Sequence, residues 1–217
     1  MAILSVCTYF LKGQQMRKAL FTTIFATSLI GSSIADAADT KSLPQPDLNQ
    51  SSPTLMQLLN NRQSMRSFAT DKMIDNQTLS EILWVANGMK ENGKRTIPTA
   101  RNQQNLKVFL LQTDGIWYYN AQDNQLEKIS DENAIAAAGS AQPYSMEAPV
   151  HLIYTSSDAK WGKEHAGSAY QDVYLYATAK GLATVIRGMV DEEALHKALK
   201  LDDEEFVIAH QPVGYPK

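Results

Sequence analysis

Two stretches of β pattern face each other across Asp114-Gly115. Leu106 to Gln112 alternates apolar and polar residues, Ile116 to Tyr119 is aromatic and β-branched, and an Asp-Gly pair between such runs signals a tight hairpin. A hairpin commits the two strands to antiparallel pairing, and with it the sheet they belong to. Val150 to Thr155 reads as a further, buried strand, Thr184 to Ile186 as a short one, and Phe206 to Ala209 as the last.

Helical patterns are interleaved with these strands. Ser52 is placed to cap a helix with Pro53 at its first position, and Leu55, Leu58 and Leu59 follow at helical spacing. Asp75 opens a second helix in which Leu79, Ile82, Leu83 and Ala86 share one face, and Gly88 closes it. Glu132 to Ala138 reads as a short helix. Ala166 to Lys180 is the longest helical pattern and stops at Gly181; Asp191 caps another that carries Leu195, Ala198 and Leu199. Helices mixed with mostly hairpin-linked strands give an α+β class.

The N-terminal region has a different character. Met16-Arg17-Lys18 is basic, Ala19 to Ile30 is apolar and uncharged, and Ala35-Asp36-Ala37 offers small residues at the −3 and −1 positions of a cleavage site. This is the pattern of a secretory signal peptide, with cleavage after Ala37 and the natural start at Met16. The apolar run is shorter than the roughly 20 residues a membrane-spanning helix needs. The expected organisation is a leader over residues 1–37, a flexible arm over 38–53, and one domain over 54–217, in the periplasm or outside the cell. The single cysteine, Cys7, precedes the signal, so the exported chain has no disulfide, no thiolate nucleophile and no Cys-based metal site. A net charge of −3 argues against a broad nucleic-acid surface.

Four segments could carry chemistry. Arg62-Gln63-Ser64-Met65-Arg66 places two cations and a hydroxyl within five residues, a combination suited to a phosphate. Pro98 to Gln104 contains Asn102, whose amide both donates and accepts and could read a polar ring edge. Gly181 to Gly188 brackets a short apolar stretch whose backbone could face a flat ligand, with Gly188 allowing close approach and Arg187 supplying positive charge. The fourth segment is the terminus, Gly214-Tyr215-Pro216-Lys217. Each segment has an ordinary reading as well: a solvated turn, a loop into a strand, a helix cap, a free end. His151, His165, His196 and His210 show no HxH or HxxxH spacing, and no Ser lies in a GxSxG setting. Tyr170, Tyr174 and Trp161 read as core or interface aromatics.

In their order and spacing these segments resemble the nitroreductase family of FMN-dependent oxidoreductases, and most closely a short branch similar to SagB-type dehydrogenases. The resemblance runs from Thr54 to Lys217. It implies an α+β fold with a central, mostly antiparallel sheet flanked by helices, forming an intertwined homodimer with two FMN sites at the interface. Arg62, Gln63, Ser64 and Arg66 match the phosphate and ribityl segment, Asn102 and Gln104 the loop that reads the flavin ring, and Ile186, Arg187 and Gly188 the stretch beside that ring. Lys217 matches a C-terminal cation on the phosphate. The implied activity is ping-pong electron transfer from a donor such as NAD(P)H to a nitroaromatic or quinone, with no catalytic side chain beyond a tuning role for Arg187. Two departures stand out: many relatives carry Gly-Leu-Gly where this chain has Gly181-Leu182-Ala183, and many carry an acidic residue near the flavin where it has Arg187. Export removes the protein from cytoplasmic nicotinamides. That leaves open a membrane or periplasmic redox partner, a SagB-like oxidation of substrate, or a non-catalytic protein that binds flavin or a partner on the same fold.

Overall fold

The structure is a computed structural model and describes residues 39–217. The leader expected over residues 1–37 lies outside them. In chain order the elements are β1 (Thr40–Ser42), α1 (Leu55–Asn61), α2 (Asn76–Asn87), β2 (Leu106–Gln112), β3 (Gly115–Asn120), β4 (Gln125–Ser130), α3 (Ile135–Gly139), β5 (Val150–Ser156), α4 (Gly162–Lys180), β6 (Ala183–Thr184), α5 (Glu192–Ala198) and β7 (Phe206–Gly214). Short 3-10 turns cover Ala100–Asn102 and Pro143–Glu147.

The strands form one seven-stranded sheet in the order β1-β4-β3-β2-β5-β7-β6, with every pairing antiparallel. The hairpin at Asp114-Gly115 sets its centre, with Leu111 opposite Ile116 and Gln112 opposite Gly115. Gly115 has φ +137, and a Cβ there would lie 2.3 Å from the Ser130 carbonyl oxygen, so only glycine fits.

Alternation along β2 and β5 sends side chains to two cores. Leu106, Val108, Leu110, Leu152 and Tyr154 meet Leu79, Ile82, Leu83 and Ala86 of α2 and Ala166, Ala169, Val173 and Ala177 of α4. Phe109, Leu111 and Ile153 pack on the other face against Leu195 and Leu199. Each of the larger side chains among them, such as Leu, Ile, Val and Phe, contributes about 1.5–3 kcal/mol by leaving water. The small residues of α4 let it lie close to the sheet. It ends where Gly181 takes the left-handed conformation (φ +67) and the Leu182 N–H returns to the Ala177 carbonyl, 2.8 Å away.

Several sequence expectations change. The first helix is capped by Thr54, not Ser52: the Thr54 hydroxyl accepts from the Gln57 N–H, and the Gln57 side chain accepts from the Thr54 N–H. The segment expected as a flexible arm is tied down. β1 pairs with β4, Leu43 enters the core, Ser80 Oγ donates to the Pro44 carbonyl, and Glu81 accepts from the Asp47 N–H and Gln50 Nε2. β4 carries one fully buried residue, Leu126, among polar ones, and its sequence gave no alternation to read. β7 continues through Pro212 to Gly214, because the short β6 pairs only with its last two residues and needs no N–H from position 212. Among the described residues, no helix is long and apolar enough to cross a membrane.

Candidate functional site

The chain leaves α1 at Arg62 and runs alongside β6, where the Met65 N–H donates to the Thr184 carbonyl (3.0 Å). It then meets the C-terminal tail: the Ala69 N–H donates to the Tyr215 carbonyl (2.8 Å), and Phe68 bridges Pro216 in antiparallel register. Three of the four segments singled out in the sequence therefore converge: residues 62–66, the stretch from Ala183 to Gly188, and the terminus.

Tyr174 of α4 sits at their junction. Its hydroxyl lies 2.9 Å from Ser64 Oγ and accepts the Ile186 N–H at 2.9 Å, and the Arg62 guanidinium lies over its ring, 5.1 Å from the centroid. Neither guanidinium, Arg62 nor Arg66, has a hydrogen-bonding or ion-pair partner among the described residues. Gln63, Ser64 and Arg66 are exposed. Two uncompensated, forked cations and a hydroxyl on one short exposed segment form a donor set that fits a phosphate monoester. Gly188 is exposed too, and a Cβ there would meet nothing within 4 Å, so the backbone at that point faces open space.

Arg187 is placed differently from the sequence expectation of a cation beside a ligand ring. Its guanidinium is buried and donates to Gln142 Oε1 (2.8 Å), the Ala138 carbonyl (2.7 Å), the Met189 carbonyl (3.1 Å) and His210 Nδ1 (2.6 Å). Its own N–H and carbonyl pair with His210. Four of its five N–H donors are spent inside the chain, where residues 138–142 and β7 close over it. A guanidinium only donates, so His210 Nδ1 accepts, and Nε2–H of His210 donates to His151 Nδ1 at 3.0 Å. His151 Nε2 is left buried without a partner. Burial holds His151 at about 4 and His210 well below its ordinary value, so both rings are neutral at pH 7.

Lys217 also finds an internal partner, Glu147 Oε2 at 2.8 Å, although the tail register carries it beside Ser67. The fourth segment lies elsewhere. The loop with Asn102 and Gln104 is fastened near the N-terminal end of α4, where the Ala100 N–H donates to His165 Nε2 (2.8 Å) and His165 Nδ1 faces Asn105 Oδ1 (3.3 Å). Arg101, Asn102 and Gln104 all have positive φ (53, 55 and 53), a strained stretch of the kind found at ligand sites. His165 and Tyr174 are about 14 Å apart along the helix. The Asn102 loop and the Arg62–Arg66 segment are thus anchored at different places along α4.

On the outer side of α2 and α4 lies a cleft of about 510 Å³, lined by Leu48, Leu58, Trp84, Leu175, Tyr176 and Asp172 among others. Burial raises Asp172 to about 6. Beside it α1 buries none of its residues and exposes Leu55 (60 %) and Met56 (74 %). The sequence did not single out Tyr174 or His165 as site residues. Tyr174 lies 110 residues from Ser64, and its helical spacing is that of any core aromatic.

Comparison with known proteins follows the same outline. The family model described as "Nitroreductase family" matches residues 59–215. A candidate nitroreductase of Methanocaldococcus jannaschii is 27 % identical over 197 residues, covering 81 % of this chain and 97 % of that protein. A crystal structure of a candidate nitroreductase from Ralstonia eutropha superposes with a TM-score of 0.75 at 26 % identity, over 82 % of this chain and 90 % of that one. The fold is also similar to a chain of the Escherichia coli microcin synthetase complex, solved with a truncated precursor bound (TM-score 0.61, 17 % identity, 90 % and 85 % coverage).

Proposed function

This chain belongs to the nitroreductase family of oxidoreductases, and from that premise we propose that it is an FMN-dependent enzyme passing electrons from a reduced donor such as NAD(P)H to a nitroaromatic, quinone or similar acceptor. The carrying observation is the pair of guanidiniums, Arg62 and Arg66, that flank Ser64 on a segment bonded to β6 and have no hydrogen-bond or ion-pair partner among the described residues. These residues would hold the FMN phosphate, and Ile186 to Gly188 would lie beside the ring. When bound, FMN supplies hydride and electron chemistry that no side chain of this protein provides. The protein's part is to anchor the phosphate and present open backbone at Gly188.

A second copy completes the site in this reading. Asn102 and Gln104 sit by His165 near the opposite end of α4 from the Arg62–Arg66 segment, and the apolar face formed by α1 and the neighbouring cleft is of the kind that association covers. A homodimer with one FMN per chain follows. Residues 1–37 would direct the protein to the periplasm or beyond, where a redox partner would replace a nicotinamide as donor.

Anaerobic mixing of the flavin-loaded protein with NADH, NADPH and reduced quinols tests the reading. At least one donor is expected to bleach the flavin band, and an added quinone or nitroaromatic to restore it in a separate step. A flavin that stays oxidised with every donor, while remaining bound, would identify a non-catalytic flavin-binding protein instead.

A further inference from the structure

We propose that Tyr174 is the positioning residue of the phosphate cradle: it orients the Ser64 hydroxyl outward and fastens the cradle to the stretch beside the ring. This rests on the reading of residues 62–66 as a phosphate site.

The polarity of the contacts carries the argument. A hydroxyl has one hydrogen to give and two lone pairs to receive with. The Ile186 N–H already donates into Tyr174 Oη at 2.9 Å, so the tyrosine hydrogen is free for Ser64 Oγ, also at 2.9 Å. A phosphate dianion accepts and does not donate. Ser64 can serve it only with its own O–H, and must therefore receive, not give, at Tyr174. The result is a directed relay, Ile186 N–H to Tyr174 O–H to Ser64 O–H to the anion. Each bond in such a relay polarises the next. The tyrosine is nearly buried, at 4 % exposure, and reaches Ser64 from a helix whose Val173 and Ala177 lie in the core on either side of it. Its ring also lies under Arg62 (5.1 Å), which keeps that cation beside the hydroxyl. No other side chain of the described residues bonds Ser64 Oγ.

The test compares FMN with riboflavin, which lacks the phosphate. Tyr174→Phe keeps the ring and the cation contact and removes only the relay. FMN binding, followed by flavin fluorescence, should weaken about five- to tenfold, the worth of one such hydrogen bond. Riboflavin binding should stay within twofold. In a Ser64→Ala background the same substitution should have no further effect on FMN, because there is no hydroxyl left to orient. In the flavin-free protein, the Ile186 amide should exchange faster in Tyr174→Phe. Equal FMN affinity in wild type and Tyr174→Phe would overturn the inference. So would an equal loss for FMN and riboflavin, or an undiminished loss in the Ser64→Ala background, since these mark a general structural role. A wild-type protein that binds riboflavin and FMN alike would overturn the phosphate reading as well.

Discussion

Replacing Glu81 with Gln should destabilise the fold by an amount that depends on pH in a definite way. Glu81 is buried in α2, its side chain only 4 % exposed. It accepts from Tyr176 Oη (2.5 Å), Gln77 Nε2 (2.8 Å), Gln50 Nε2 (3.2 Å) and the Asp47 N–H (3.3 Å), and faces Lys180 Nζ at 3.3 Å. Burial alone would raise its pKa; the hydrogen bonds from Tyr176, Gln77, Gln50 and the Asp47 N–H outweigh it and bring the carboxyl from 4.5 to about 2. A pKa depressed by folding stabilises the native state above the unfolded value, and that stability is lost as pH falls toward the folded value. The shift corresponds to about 3 kcal/mol at pH 7 and about 1 kcal/mol at pH 3. Urea unfolding of wild type and Glu81→Gln at both pH values should show the gap shrinking by roughly 2 kcal/mol. At neutral pH the variant should melt about 6–12 °C lower. A gap that is the same at pH 7 and pH 3, or absent at both, would refute the assignment of Glu81 as the ionised centre joining the N-terminal segment, α2 and α4.

Three further outcomes are expected. Gly115→Ala should cost about 2 kcal/mol or more, because φ +137 and the Ser130 carbonyl oxygen 2.3 Å from the new Cβ leave no room; denaturant midpoints check this. In an Asp172→Asn background, which removes the opposing titration of a carboxyl that burial raises to about 6, stability should fall as pH drops from 6.5 toward 4, because His151 and His210 are held neutral by burial and the unfolded chain takes up protons first; a flat profile for that variant over the window, which lies mostly above that of Glu81, would contradict the neutral pair. Met56→Glu on α1 should shift the protein toward monomer in light scattering and weaken FMN binding at least tenfold at equal chain concentration; unchanged mass and affinity would contradict a two-chain site.

Much of the fold was legible because local signals agreed with tertiary ones. Asp114-Gly115 set the hairpin, Asp75 and Gly88 bounded α2, and Gly181 ended α4 in the left-handed conformation its type favours. Legibility failed where tertiary contacts decide. β1 is three residues that become a strand only beside β4, and β4 shows no alternation because most of it is half-exposed. The Pro-rich segment before α1 reads as loose, yet Glu81 and Asn124 bond its backbone from far along the chain. For the site, charge type pointed to Arg62 and Arg66 directly. The burial of Arg187 had no sequence signal, since its partners Gln142, Ala138 and His210 come from two distant segments. Tyr174 was hidden for the same reason.

The most direct measurement is a flavin titration of the wild-type protein and of the Arg62→Ala, Arg66→Ala double variant, each confirmed folded by its thermal melt. The expected result is saturable FMN binding at one per chain in the wild type and no retained FMN in the variant. FMN binding that survives loss of both guanidiniums, or a folded wild-type protein that takes up no FMN, would contradict the assignment of this site.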